Sequence, residues 1–114
     1  MPFISTKTNK HLSAEDTKAL TEAYGRAIEL LPGKTEAWLM LSFEGDTPMA
    51  FRGRSDTDMA FLTVSLVGKA PRASYDALTA RFCEIMADTL DIRPDMTYVK
   101  YEETEHWGYN GENF

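Results

Sequence analysis

The chain has 114 residues and a mass of 12.9 kDa, which fits a single domain over residues 1–114. Apolar residues make up 43% and charged residues 26%, values typical of a globular protein, and they exclude an intrinsically disordered chain. The net charge is −6 and no Lys/Arg cluster offsets it, so we expect no nucleic-acid partner. The single cysteine, Cys83, excludes an internal disulfide and a Cys-based zinc site.

Two features of the sequence bear on where the protein is located: its first seven residues and its longest apolar run. The run at 59–67 has nine residues, about half the length that a membrane span needs, so we expect no membrane partner. Residues 1–7 lack a basic region followed by an apolar block, so no signal peptide is expected. The prediction is a cytoplasmic protein, with any release following a route that uses no signal peptide.

The first half of the chain predicts a strand, a helix and a second strand. Residues 2–7 are partly β-branched and indicate a short strand. Ser13 followed by Asp16 is typical of a helix N-cap, and the Pro-Gly pair at 32–33 ends that helix. Its apolar face repeats at helical spacing through Leu20, Tyr24, Ala27, Ile28 and Leu31. The apolar run at 37–43 indicates a strand buried on both faces.

The second half repeats this order after a connecting segment. The connection is predicted as a turn at 44–48, a short edge strand at 49–51 and a polar loop at 52–58. A buried strand follows at 60–67, and a second helix ends near Leu90. The apolar face of that helix consists of Tyr75, Leu78, Phe82, Ile85 and Met86. A last long strand is predicted at 97–101, and an aromatic, glycine-rich tail at 106–114 is expected to pack, as a short strand on another subunit.

Corresponding elements of the two halves lie about sixty residues apart. Two βαβ units of equal length predict an α+β fold with internal pseudo-twofold symmetry and two helices packed on one four-stranded sheet. Such a sheet has a second, uncovered face. Trp38, Met40 and Leu62 supply more apolar strand surface than two helices easily cover, which favours an oligomer. The alternative is a monomer whose uncovered face is merely mixed.

Few residues suggest chemistry by themselves. Nucleophile motifs, phosphate loops and zinc-protease motifs are absent. His11 and His106 are more typical of solvated loops than of ligands, and Cys83 is more typical of a small core residue. Pro2 is the unusual position, because removal of Met1 would leave a secondary amine whose pKa burial and a neighbouring cation lower. A base with a pKa near working pH suits proton abstraction beside a carbonyl, although most chains that begin Met-Pro carry no such function.

The whole chain resembles the macrophage migration inhibitory factor family of the tautomerase superfamily. The likeness rests on an ordered set of short pieces rather than on one specific motif. They are Pro2-Phe3-Ile4, Thr8-Asn9, Gly33-Lys34, Met49-Ala50-Phe51, Val67-Gly68-Lys69, Ser74-Tyr75, Arg93-Pro94-Asp95, Tyr98, Tyr101, Gly108-Tyr109-Asn110 and Phe114. The resemblance implies the βαβ repeat described above, in a trimer with each active site between two subunits.

The resemblance also implies roles for individual residues. Pro2 matches the catalytic amino-terminal proline of keto–enol tautomerisation, and Lys34 matches the lysine that binds the substrate carboxylate. Val67 matches the residue whose backbone N–H helps bind the substrate. Tyr98 matches a tyrosine that reaches in from a neighbouring subunit. Without the resemblance, Lys34 would be interpreted as a solvated loop lysine. Tyr98 could equally well be an ordinary aromatic residue of a strand.

An aromatic wall completes the implied site. Apolar or aromatic pocket positions of the family match Phe3, Trp38, Tyr109 and Phe114. Such a wall suits a small aromatic α-keto acid such as phenylpyruvate. The implied function is a phenylpyruvate- or dopachrome-type keto–enol tautomerase, an isomerase that needs no metal or organic cofactor. The alternatives are a cytokine-like or host-modulating binding protein with weak or no catalysis and a cell-surface receptor as partner, or a housekeeping oligomer with an unrelated ligand.

The chain departs from the family pattern at three places. Lys100 replaces an asparagine near the substrate, and it points to the same strand face as Tyr98, so it could grip the carboxylate or point to solvent. The Cys-x-x-Cys of the family is replaced over 56–59, so no thiol oxidoreductase activity is expected. Leu12 stands at the position of a receptor-contacting arginine, which weakens the expectation of cytokine signalling.

Overall fold

The computed structural model describes all residues, 1–114, and confirms two helices on a four-stranded sheet. In chain order the elements are β1 (Pro2–Thr8), α1 (Ala14–Ala27), β2 (Met40–Glu44), β3 (Ala60–Val67), α2 (Arg72–Leu90), β4 (Thr97–Thr104), β5 (Gly108–Tyr109) and β6 (Glu112–Asn113). Short 3-10 turns occupy Ile28–Leu30, Glu36–Trp38 and Pro94–Met96. Neither α1 nor α2 combines the length and the apolar character that crossing a bilayer demands.

The sheet has the strand order β2-β1-β3-β4. β1 pairs with β2 in parallel, β3 pairs with β4 in parallel, and the two pairs join through the antiparallel contact of β1 with β3. This is the predicted pair of βαβ units related by a pseudo-twofold. One consequence is that the chain begins in a central strand, so Pro2 lies opposite Leu66 at the middle of one sheet edge.

The core lies between the helices and one sheet face. Side chains of β3 alternate between buried and half-buried positions, because successive strand residues point to opposite faces. Leu62, which we expected to contribute to uncovered surface, is fully buried beneath the helices. Tyr24 of α1 packs edge-to-face on Phe82 of α2 at 5.3 Å between ring centroids, and its hydroxyl hydrogen-bonds the Thr6 hydroxyl at 2.8 Å.

The uncovered face of the sheet is mixed rather than apolar, which corrects the prediction. The strand register places Ser42, Ser5, Thr63 and Lys100 in one row across the four strands. Alternation along β1 and β3 directs their largest aliphatic side chains toward the helices, and the uncovered side carries both hydroxyl-bearing residues and the aromatic Phe3 and Phe61.

Two predicted strands are wrong in extent. The strand predicted at 37–43 begins only at Met40, since Glu36–Trp38 forms a 3-10 turn. It is an edge strand. It is not buried on both faces, because Met40 and Glu44 are exposed and the three residues between them are only half-buried. The predicted edge strand at 49–51 is not formed; only an isolated bridge joins Phe51 to Arg54 across a tight turn.

The start of α1 confirms the predicted cap. The Asp16 N–H donates to Ser13 Oγ and the Ser13 N–H donates to Asp16 Oδ2, both at 3.0 Å, which is a capping box. The tail at 106–114 forms a hairpin of its own, and its packing as a strand on another subunit stays a prediction. β5 and β6 form a hairpin over a two-residue turn at Asn110 and Gly111, both with positive φ, the geometry that Asn-Gly favours.

Candidate functional site

A cleft of about 550 Å³ opens at the start of β1. The first residues of β1 form its floor, the segment entering β2 forms one side and the tail hairpin forms the other. It is lined by Met1, Pro2, Phe3, Ala37, Trp38, Leu39, Met40, Trp107, Gly108 and Tyr109. Eight of the ten lining residues are hydrophobic and none has a charged side chain, so the cleft suits an apolar or aromatic group.

Pro2 is buried at the bottom of this cleft, with Phe3 half-buried beside it. While Met1 is attached, the Pro2 nitrogen is an amide without basic character. The α-amine of Met1 occupies the same cleft, where burial and the nearby Lys34 ammonium lower its pKa below the usual value. The environment at the beginning of the chain therefore favours a neutral amine.

Lys34 is held beside the chain start by the turn that ends the first βαβ helix. Gly33 has a φ of +76°, which glycine adopts without steric cost, and the Lys34 N–H donates to the Leu31 carbonyl at 3.1 Å. The half-buried side chain then extends to β3, where Lys34 Nζ donates to the Val67 carbonyl at 3.2 Å. The structure thus brings together Pro2, Lys34 and Val67 from three separate segments.

The backbone of Val67 faces the chain start. The next residue, Gly68, directs its N–H toward β4 and donates to the Thr104 carbonyl at 2.9 Å. Because successive strand residues direct their backbone groups to alternate sides, the N–H and carbonyl of Val67 point the other way, toward the beginning of β1. The Val67 N–H therefore points toward the first residues of the chain.

Aromatic side chains form the outer wall. Trp38 meets Tyr109 edge-to-face at 5.2 Å, and Tyr109 stacks on Phe114 at 6.2 Å. The Phe114 N–H donates to the Trp107 carbonyl at 3.0 Å, which closes the tail onto itself. Trp38 and Tyr109 are each 51% exposed, so the wall offers accessible ring surface to a ligand.

Sequence reasoning missed six of the ten lining residues: Met1, Ala37, Leu39, Met40, Trp107 and Gly108. Met40 pairs with Phe3 across the β1–β2 ladder and is 69% exposed, which places its side chain beside the cleft rather than in the core. Trp107 directly precedes the matched Gly108, and its aromatic character in the tail was the available signal. Leu39 offered no signal that distinguishes it from a core leucine.

Tyr98 and Lys100 do not join this cleft within one chain. Tyr98 pairs with Phe61, whereas Pro2 pairs with Leu66, so about 17 Å of β3 separates them at roughly 3.3 Å per residue. Tyr98 instead packs on Phe51 at 5.0 Å and on Phe61 at 6.1 Å, beside an apolar hollow of about 230 Å³. Lys100 pairs with Glu102 at 3.6 Å.

The remaining candidate residues stay outside the cleft, in keeping with their ordinary interpretations. His11 hydrogen-bonds Asp46 at 2.9 Å on the surface, and this bond raises the pKa of His11. His106 lies exposed in the segment between β4 and β5. Cys83 is half-buried on α2, where burial raises the pKa of its thiol. No three His, Cys, Asp or Glu side chains converge as metal ligands do.

Comparison with known proteins bears on this arrangement. The sequence model of the family described as macrophage migration inhibitory factor (MIF) matches residues 1–114. The chain is 28% identical to the macrophage migration inhibitory factor of Meriones unguiculatus over 116 residues, covering 100% of this chain and 99% of the relative. It shares 30% sequence identity with the chain in the crystal structure of Leishmania major MIF2. The TM-score is 0.93, and the match covers 100% of this chain and 97% of that one.

A bacterial structure extends the likeness. The macrophage migration inhibitory factor homologue from Prochlorococcus marinus is 25% identical, with a TM-score of 0.88 and 98% of each chain covered. Family model, sequence relatives and structures agree over the full length, including the segments that form the cleft. The chain belongs to the macrophage migration inhibitory factor family.

Proposed function

We propose that this protein is a keto–enol tautomerase for small aromatic α-keto acids, with the amino-terminal amine of Pro2 as general acid and base once Met1 has been removed. The observation that carries the proposal is the burial of Pro2 at the floor of an aromatic cleft, beside the Lys34 ammonium. Membership of the MIF family agrees with such an isomerase.

The proton transfer uses the neutral Pro2 amine. Burial and Lys34 lower the pKa of the α-amine of Met1, and we expect the same two effects to act on the Pro2 amine, because Pro2 is itself buried in the cleft. A neutral amine takes a proton from the carbon beside the ketone, and the electron pair of that C–H bond moves to form the enolate. The protonated Pro2 amine then returns the proton to the oxygen, so the enol leaves with the base regenerated.

Two further groups hold the substrate. The Lys34 ammonium has three N–H donors, so it binds the carboxylate while its contact with the Val67 carbonyl holds it in place. The Val67 N–H, on the same side of β3, stabilises the developing enolate oxygen. The aryl ring packs between Trp38 and Tyr109, which present exposed ring surface across the cleft. These contacts need no metal or organic cofactor.

We further propose that Tyr98 and Lys100 act from a neighbouring copy in a homotrimer. Within one chain about 17 Å of strand separates Tyr98 from Pro2, a distance that no side-chain rotation covers. Tyr98 is 56% exposed, so it remains accessible to a second copy. There its hydroxyl would support the enolate oxygen, and Lys100 would add a second cation near the carboxylate.

The first test combines intact mass with turnover. Chains that lack Met1 should convert phenylpyruvate between its keto and enol forms, whereas processed Pro2→Gly should lose most activity while keeping its fold and its ligand affinity. Folded, processed wild-type protein without turnover would contradict the proposal and favour the binding-protein alternative, in which Pro2→Gly leaves function intact.

The second test addresses assembly. A Pro2→Gly chain and a Tyr98→Phe chain are each expected to be weak, but co-refolded mixtures should regain activity, because mixed trimers contain sites with an intact Pro2 and an intact Tyr98 from different chains. Mixtures no more active than the average of their components would place Tyr98 outside the site. Light scattering on the same samples measures the number of copies.

A further inference from the structure

The beginning of α2 is tied to the end of β4 by a hydroxyl network. The Tyr75 hydroxyl donates to Glu103 Oε2 at 2.6 Å, and the Tyr75 ring packs on that of Tyr101 with 4.3 Å between centroids. The Tyr101 hydroxyl in turn donates to the Tyr75 carbonyl at 3.2 Å and lies 2.9 Å from Thr79 Oγ1. None of these groups lines the cleft, and the proposed mechanism does not use them.

This network holds the start of α2 and the end of β4 together, beside the end of β3. β3 ends at Val67, and the chain reaches α2 through only four residues, 68–71. The Gly68 N–H donates to the carbonyl of Thr104, the residue after Glu103. The Tyr75–Glu103 bond therefore ties the start of α2 to the end of β4, and β4 in turn holds the Gly68 N–H. That N–H belongs to the same peptide group as the Val67 carbonyl, the acceptor for Lys34 Nζ.

We propose that Tyr75 is a positioning residue for Lys34, acting through Glu103 and the paired ends of β3 and β4 that present the Val67 carbonyl. The functional part of this inference rests on the proposed binding of a substrate carboxylate by Lys34. Tyr75 touches neither the substrate nor Pro2 and is not a catalytic residue.

The local charges explain why a hydroxyl is needed here. Glu103 is the central one of three acidic residues at the exposed end of β4: Glu102 has Lys100 and Ser65 as partners, and Glu103 has Tyr75. The Tyr75 hydroxyl gives the central carboxylate a donor. Burial and the bond to Glu103 raise the pKa of Tyr75 to about 12, so the donor keeps its proton over the range of any assay. Phenylalanine at position 75 would retain the ring stacking and lose only this bond.

The first readout is the reactivity of Lys34 and does not depend on turnover. Limited acetylation followed by mass spectrometry measures the rate at each lysine, with the exposed Lys18 on α1 as the internal reference. In the full-length protein, Tyr75→Phe should raise the relative rate at Lys34 about threefold or more, because a charge-assisted contact to Val67 is loosened. Ser74→Ala, a neighbouring change outside the network, should leave the rate unchanged.

The second readout is the kinetic split between acid and ester. Tyr75→Phe should raise KM for phenylpyruvate about threefold to tenfold, leave kcat within a factor of about two, and leave KM for the methyl ester unchanged. Glu103→Ala should give the same rise in KM for phenylpyruvate as Tyr75→Phe. Glu103→Gln should restore a near-normal KM, because its amide oxygen can accept the hydrogen bond. The double variant Tyr75→Phe/Glu103→Ala should have a KM no higher than that of either single variant.

The outcomes separate the two proposals. Unchanged Lys34 reactivity in folded Tyr75→Phe overturns the positioning role, as does an equal rise in KM for acid and ester, which indicates general loosening. Wild-type protein without turnover refutes the proposed function, while the acetylation rates still decide whether Tyr75 positions Lys34.

Discussion

The hydrogen bond between Tyr24 and Thr6 can be removed without disturbing the ring packing around it. Both side chains are completely buried, and their oxygens lie 2.8 Å apart. The Tyr24 ring also packs on Phe82 and, at 6.1 Å, on Phe43 of the edge strand. Tyr24→Phe keeps these contacts and leaves the Thr6 hydroxyl without a partner on β1, the strand that begins with Pro2.

The expected cost follows from this complete burial. A buried polar group that loses its partner costs about 1–3 kcal/mol, and no solvent reaches Thr6 to replace the lost bond, so we expect about 2 kcal/mol for Tyr24→Phe. Thr6→Val strands the Tyr24 hydroxyl in the same way and should cost about as much. The double variant removes both polar groups together, so it should be less destabilised than either single variant, and the two effects should not add.

Urea unfolding at one fixed protein concentration measures the four free energies, since assembly would otherwise shift apparent stability. Burial holds the pKa of Tyr24 far above its ordinary value, so the cycle can be run at neutral pH without ionisation of the phenol. A double variant whose loss equals the sum of the single losses would refute the argument, because it would show that the two hydroxyls stabilise the fold independently.

Three further predictions concern the site and the surface. Lys34→Met should raise KM for phenylpyruvate about tenfold and leave the methyl ester unaffected, since a charge-assisted bond contributes about 1.5–3 kcal/mol; equal effects on both substrates in steady-state assays would contradict carboxylate binding. NMR titration should give His11 a pKa above its ordinary value that returns to normal in Asp46→Asn. Because the folded-state pKa is raised, the pair contributes its small stability at pH values below the unfolded-state pKa and loses it as pH rises through the folded-state pKa. Ser13→Ala should cost about 1 kcal/mol in thermal unfolding through loss of the capping box, and an unchanged melting temperature would show that water replaces the cap.

Helices and central strands were predictable because their patterns follow local geometry. The spacing from Leu20 to Leu31 and the cap at Ser13 report helix periodicity and helix-end chemistry directly. The prediction of a buried strand at 37–43 was wrong in extent, because Ala, Trp and Leu are equally apolar in a turn beside a cleft and in a buried strand. Only the strand order, with β2 at the edge, decides between these possibilities.

The site depends on contacts that no spacing predicts. Lys34 reaches Val67, 33 residues later in the chain, because two βαβ units meet through β1 and β3. The resemblance to the family supplied Pro2, Lys34 and Val67, and the structure brings these three together. The mixed character of the uncovered sheet face was unpredictable for a related reason: composition counts apolar residues but does not tell which side of a strand each one occupies.

The cleft is bordered by the amino end of β1 and by the hairpin that contains Tyr109. This arrangement limits how the gene can be extended or engineered. The linker of a reporter domain fused before Pro2 would start from the floor of the cleft. A domain fused after Phe114 would disturb the tail hairpin that forms its wall. The exposed turn at Arg52 and Gly53 does not line the cleft of its own chain, so a tag inserted there would leave that cleft unobstructed, although it would lie beside Phe51, which packs on Tyr98.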